Sequence, residues 1–223
     1  RVRFGLVSWL EDNQSFLYHR FPERPADAPE TEKYNDSCTY LHQLDNDPEH
    51  DPIVFGPGVN SHAEIDNQDF PFIRTSSSSD WMIGLVIHGV RNELTLYAAP
   101  RSMLTEPETC PWTKVADIED AITDFAFVDD TIYLKTHKDA LRYKIIATSL
   151  KTPDVASAVT IIPESKVVIQ GLFVAGEYLL TIDLDGGIMR MRRISRNGGS
   201  LEEIQLPFAG SITGNASIPS SPT

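Results

Sequence analysis

Residues 168–205 read VIQGLFVAGEYLLTIDLDGGIMRMRRISRNGGSLEEIQ, and this stretch decides the fold class. Its runs of β-branched and aromatic residues, Val168–Val174, Tyr178–Leu184, Gly187–Ile194 and Leu201–Gln205, predict four strands. Between them stand Gly176-Glu177, Asp185-Gly186-Gly187 and Asn197-Gly198-Gly199, residues that tolerate positive φ and so close tight turns. No long helical periodicity interrupts the pattern.

Working outward, three similar groups precede it. One holds Ile122–Val128, Thr131–Thr136, Arg142–Ser149 and Val159–Ile162, with Asp129-Asp130 as a hairpin turn. Before it come Phe70–Thr75, Trp81–His88, Glu93–Ala99 and Trp112–Ala116, with the turn-forming run Ser76–Asp80 after the first strand. The first group holds Phe4–Leu10, Ser15–Phe21, Thr39–Leu44 and Pro52–Phe55, interrupted by a polar excursion over Pro22–Ser37 that reads as a surface loop. A repeat of about 45 to 50 residues is the spacing of propeller blades. The expectation is an all-β chain: a β-propeller fragment of about four blades of four antiparallel strands, over 4–56, 70–116, 122–162 and 168–205. Residues 214–223 read as a loop or frayed tail. A part-propeller leaves two apolar faces open, which predicts self-association or marginal stability.

With 32 acidic against 19 basic side chains the net charge is -13, which opposes binding to a phosphate backbone. The basic cluster Arg190, Arg192, Arg193 and Arg196 alternates with apolar residues and reads as the solvated face of a strand. Cys38 and Cys110 are too few and too far apart for a disulfide framework or a zinc site. No run approaches the roughly 20 apolar residues of a membrane span, and the N-terminus lacks a signal-peptide layout. A soluble chain with no membrane partner is expected. The cytoplasm is slightly favoured over the periplasm or secretion, with the compartment left open because an upstream signal could have been removed.

No G-x-S-x-G elbow occurs. The sequence Gly210-Ser211-Ile212-Thr213-Gly214 has its letters at the wrong spacing and reads as a strand connection. His42, Asp45, Asp47, His50 and Asp51 offer metal-type ligands, but their spacing suits an acidic loop better than a metal site. Asp183 and Asp185 beside Gly186-Gly187 read as ordinary turn chemistry. Asp117, Glu119, Asp120 and Asp124 could supply an acid-base pair, yet nothing in the sequence would part their pKa values, and a solvated loop is expected. No catalytic residue, metal or cofactor is assigned.

The order of several short motifs carries a resemblance. Val7-Ser8-Trp9-Leu10-Glu11-Asp12, Ser15–Pro22, Thr39–Leu44, Asp51–Phe55, Ser79–Val86, Asn92–Tyr97, Trp112–Val115, Thr131–Thr136, Ala140–Ile145, Ile162-Pro163-Glu164 and Leu206–Ile212 are similar, in that order, to the propeller of the prolyl oligopeptidase family of serine peptidases. Asp45 stands where the family has Gly, and the Gly that usually follows Asp80 is missing. The resemblance covers nearly the whole chain. It implies the central blades of a seven-bladed propeller that gates and selects short peptide substrates for an α/β-hydrolase domain of the same parent protein. That absent domain would carry the Ser, His and Asp of acyl transfer, so the fragment alone would be inactive. The resemblance also implies that His88-Gly89-Val90-Arg91-Asn92 leans toward the substrate cavity, where His88, Arg91 and Asn92 would meet the peptide. A hairpin turn with polar tips is the competing reading of that loop. For the whole, the alternative is a stand-alone propeller serving as a protein-interaction module, and a propeller glycosidase would need a carboxylate pair that nothing singles out.

Overall fold

The computed structural model describes residues 7–25 and 27–212. The expected strand residues 4–6 and the tail 214–223 lie outside the described residues, as do residues 213 and 214 of the G-S-I-T-G stretch. Among the described residues, sixteen strands form four four-stranded antiparallel sheets, each in simple chain order. The first contains β1 (Val7–Trp9), β2 (Ser15–Arg20), β3 (Cys38–Gln43) and β4 (Ile53–Phe55); the second β5 (Phe70–Thr75), β6 (Trp81–Ile87), β7 (Leu94–Pro100) and β8 (Thr113–Ala116). The third contains β9 (Ile122–Val128), β10 (Thr131–Thr136), β11 (Lys144–Ser149) and β12 (Val159–Ile162); the fourth β13 (Val168–Ala175), β14 (Tyr178–Asp185), β15 (Ile188–Ser195) and β16 (Glu202–Ile204). The hairpins close where turn chemistry places them: Val128 pairs Thr131 across Asp129-Asp130, with Asp129 at φ 50°, and Asp185 pairs Ile188 across Gly186-Gly187, both at positive φ. Gly187, expected at the start of a strand, belongs to that turn.

The chain divides into two compact units, Arg1–Asp117 and Ile118–Thr223. In the first, the inner faces of two sheets meet around Leu17, Phe55, Ile73, Met82, Val86, Tyr97 and Trp112. Period-2 alternation sends these residues to one side, and each fully buried side chain of this kind adds about 1.5–3 kcal/mol. Phe55 lies against Trp112 at a centroid distance of 4.7 Å and above Gly84, where a Cβ would fall 2.5 Å from Phe55 Cζ. His19 is buried in the same layer, its ring stacked on Phe72 at 4.5 Å, and desolvation lowers its pKa to about 4.

The polar excursion over 22–37 is more anchored than a free surface loop. Arg24 Nη2 donates to Asp36 Oδ2 at 2.6 Å, the Asp36 amide donates to Asn67 O at 2.7 Å, and buried Ser37 donates to Asp69 O at 3.2 Å. Its lack of apolar residues concealed these ties, two of which run to backbone carbonyls far along the chain.

The second unit has its own core of Val128, Tyr133, Ile145 and Ile162 against Ile169, Leu172, Leu179 and Ile194. Here the expectation for Asp183 is corrected. It lies within β14 rather than at a hairpin tip, is wholly buried, and accepts Arg192 Nε at 2.6 Å and Nη2 at 2.9 Å, with the Thr181 hydroxyl at 3.1 Å. The arginines of β15 and its following turn are likewise not merely solvated. Arg190 meets Asp185 and Glu203, Arg193 meets Glu202, and Arg196 meets Asp129. Lys135, buried on β10, donates to Gln170 O at 2.6 Å, at the residue where the β13–β14 register shifts, and burial lowers its pKa.

Candidate functional site

An open cleft of about 610 Å³ lies in the first unit, lined by the connection that follows β4 (Asn60, Glu64, Asp66, Asp69), by His88, by Thr95 and Tyr97 of β7, and by Lys114 and Asp117 at β8. Asn60 organises its wall. The side-chain amide donates to the carbonyls of Pro107, Glu108 and Cys110 at 2.7, 3.1 and 2.9 Å, while its oxygen accepts the His62 amide at 2.7 Å. Tyr97 OH donates to Glu64 O at 3.0 Å, tying the connection to the second sheet, and burial raises the pKa of that phenol.

His88 sits at the centre of a polar chain. Its Nδ1 lies 2.9 Å from Asp69 Oδ1 and its Nε2 2.8 Å from Thr95 Oγ1. Thr95 donates to Asp117 Oδ1 at 3.2 Å, and Lys114 Nζ donates to Asp117 Oδ2 at 2.8 Å, a hydrogen bond that raises the lysine pKa. Carboxylate, imidazole and hydroxyl stand in the order of a hydrolytic triad, but Thr95 is buried and its hydroxyl proton is directed to Asp117, so this oxygen is not presented as a nucleophile.

The three residues expected to meet substrate are thereby separated in character. His88 ends the β6 side of a tight turn, with the Arg91 amide donating to His88 O at 3.0 Å and Gly89 at φ 58°. Val90 at the tip is fully exposed, and Arg91 and Asn92 point no buried group into the sheet. Among the described residues the Arg91 side chain has no carboxylate within ion-pair distance, whereas His88 is engaged on both ring nitrogens. Asp69, Thr95 and Lys114 escaped sequence reasoning because their link to His88 spans separate elements with no local motif.

The other candidates have structural partners. His42 Nδ1 lies 3.0 Å from both Asp51 oxygens, and Tyr18 OH donates to Asp51 Oδ2 at 2.8 Å; burial and that carboxylate push the Tyr18 pKa up to about 12. His50 instead meets Asp47 at 3.5 Å on an exposed 3-10 turn, and Asp45 takes φ 69°. Asp120 receives Lys138 at 3.3 Å, Asp124 accepts the amides of Phe125 and Leu172, and Glu119 is exposed. Cys38 and Cys110 are buried free thiols, with burial pushing each pKa up to about 11.

Among the described residues, four antiparallel meanders of four strands, with no long helix between them, define a β-propeller domain in part. Residues 1–223 match the family described as prolyl oligopeptidase, N-terminal β-propeller domain, and the chain belongs to that family. It is 20% identical over 219 residues to prolyl oligopeptidase A of Amanita bisporigera, covering 95% of this chain and 28% of that protein. It is 26% identical over 171 residues to the dual function macrocyclase-peptidase POPB of the same fungus, covering 74% and 22%. Among solved structures, prolyl oligopeptidase B from Galerina marginata bound to a 35mer hydrolysis and macrocyclization substrate superposes with a TM-score of 0.77 at 21% identity, over 94% of this chain and 28% of that one. The chain thus spans no more than 28% of the length of these relatives, and the part bearing their catalytic domain is not covered. No helix among the described residues is long and apolar enough to cross a membrane.

Proposed function

We propose that this chain gates and selects peptide substrates for a serine peptidase whose α/β-hydrolase domain belongs to the same parent protein. The observation that carries the proposal is the family match over all 223 residues. Residues 1–223 act as one partial propeller, with blades at 4–56, 70–116, 122–162 and 168–205. Peptide as the substrate class is supported by the relatives, which are named as prolyl oligopeptidases, one of them bound to a 35mer hydrolysis and macrocyclization substrate. Arg91 and Asn92 at the exposed turn are the residues assigned to substrate, with His88 holding the base of that turn. The Arg91 guanidinium, with no carboxylate within ion-pair distance among the described residues, suits a peptide carbonyl or carboxylate. Self-association of the isolated chain is supported by Val7 and Trp9 of β1, 44% and 55% exposed.

The test compares this chain with its full reading frame, using a fluorogenic prolyl peptide and a serine-directed covalent probe. Labelling and turnover by the full protein alone are expected; labelling of the 223-residue chain, or activity in neither, overturns the reading. In the full protein, Arg91→Ala should raise KM about tenfold, the scale of one charge-assisted hydrogen bond, with kcat little changed. An unchanged KM removes Arg91 from the site.

A further inference from the structure

The chain Asp69, His88, Thr95 and Asp117 contains three hydrogen-bond links, and each needs one proton. Ionised Asp69 and Asp117 only accept. A neutral imidazole brings one proton and the Thr95 hydroxyl brings one, so two protons serve three links. All three distances, 2.9, 2.8 and 3.2 Å, are satisfied together when His88 carries a proton on both ring nitrogens. Nδ1–H then donates to Asp69, Nε2–H donates to Thr95, and Thr95 donates to Asp117.

Removing one proton forces a choice. If Nε2 kept its proton, the bare Nδ1 lone pair would face the Asp69 carboxylate across 2.9 Å, in a place where the two side chains are only 17% and 14% exposed. Keeping the proton on Nδ1 avoids this repulsion, and the Thr95 hydroxyl then turns from Asp117 to Nε2. The link that is lost is the one from β7 to the residue after β8. That position is a weak point of the second sheet. β8 is a four-residue edge strand, its pairing shifts register between Leu96 and Tyr97, and Leu96–Ala116 is its last ladder pair. Asp117 is also the final residue of the first compact unit.

We propose that His88 works as a proton-controlled fastener, closing the end of β8 onto β7 through Thr95 and Asp117 when protonated and releasing it when neutral. The charges lining the cleft with His88 are Asp69, Glu64 and Asp66 from the connection before β5, Lys114 from β8 and Asp117 just after it, while Arg91 and Glu93 follow His88 in the β6–β7 turn. Lys114 stays on Asp117 Oδ2 at 2.8 Å in both states, so the strand end loosens without detaching. Histidine is the side-chain type whose ordinary charge change falls between about pH 5 and 8, and that interval sets the window of the test.

Hydrogen exchange read by mass spectrometry on the full-length protein, at about pH 5.5 and 8.0 and corrected for intrinsic rates, tests this. Peptides covering Ala116 and Asp117 should be about fivefold more protected at the lower pH, the ratio set by one net hydrogen bond. Peptides of β2 and β3 report the stability of the first unit itself, including its own response to pH. Asp117→Asn supplies an amide that can donate to Thr95 while Thr95 donates to neutral His88, so protection should become equal at the two pH values. Thr95→Val should remove the difference by loosening both states. The proposal is overturned if the wild-type protection is independent of pH, or if the pH difference persists in Asp117→Asn.

Discussion

Arg192 holds the wholly buried carboxylate of Asp183 in a two-pronged pair, Nε and Nη2 at 2.6 and 2.9 Å from its two oxygens. Such a pair is a poor net stabiliser compared with a hydrocarbon of the same shape, but removing one partner strands a charge. Arg192→Ala should therefore destabilise the second unit by about 3–5 kcal/mol, whereas the pair Asp183→Leu with Arg192→Met should be near neutral or stabilising. Urea unfolding of the three proteins checks this. A single substitution costing under about 1 kcal/mol would show that water reaches the site.

His19 makes the first unit sensitive to acid. Its folded pKa, lowered to about 4 by burial, lies below the ordinary 6.5, so between those values the unfolded chain binds the extra proton and stability rises with pH. The destabilisation is absent above about pH 6.5 and complete below about pH 4, reaching about 3 kcal/mol. His19→Phe keeps a ring against Phe72 and should flatten the slope over that window by this amount. Thermal melts of both proteins at about pH 7, 5.5 and 4 measure the difference, which cancels the carboxylates they share.

Gly84 is required by a close approach rather than by an unusual φ. A Cβ there would stand 2.5 Å from Phe55 Cζ and 2.9 Å from Cε2, so Gly84→Ala should cost about 1–3 kcal/mol through displacement of the ring. Adding Phe55→Leu should recover part of the loss. Denaturant midpoints of the single and double variants decide it, and additive losses would mean that the methyl group added in Gly84→Ala strains something other than Phe55.

Cys38 and Cys110 should be inert to alkylation in the folded state near neutral pH, because burial pushes both pKa values to about 11 and shields the sulfurs. Iodoacetamide mass shifts with and without denaturant test this, with an adduct on each thiol expected only after unfolding. Rapid native labelling of either thiol would place that part of the core in frequent opening.

The strands were legible because their signals are local. Alternation in Ile122–Val128 and Thr131–Thr136, and the Gly186-Gly187 turn, depend on neighbours within a few residues, and all lie where the residue pattern places them. The Arg190–Arg196 run shows the limit of such reading. Its alternation revealed a strand but not which arginine enters the interior, since the partner of Arg192 is supplied by the adjacent strand and its burial by packing within the unit. Residue order was enough for an all-β chain of four repeated strand groups, for the lack of a G-x-S-x-G elbow, and for a family resemblance carried by motif order. Folding alone reveals that His88 joins Asp69 to Thr95 and Asp117, that Asp183 is a buried charge, and that the 22–37 excursion is tied down. Each of these depends on groups brought together through space by sheet register and loop closure, which no local stretch of residues records.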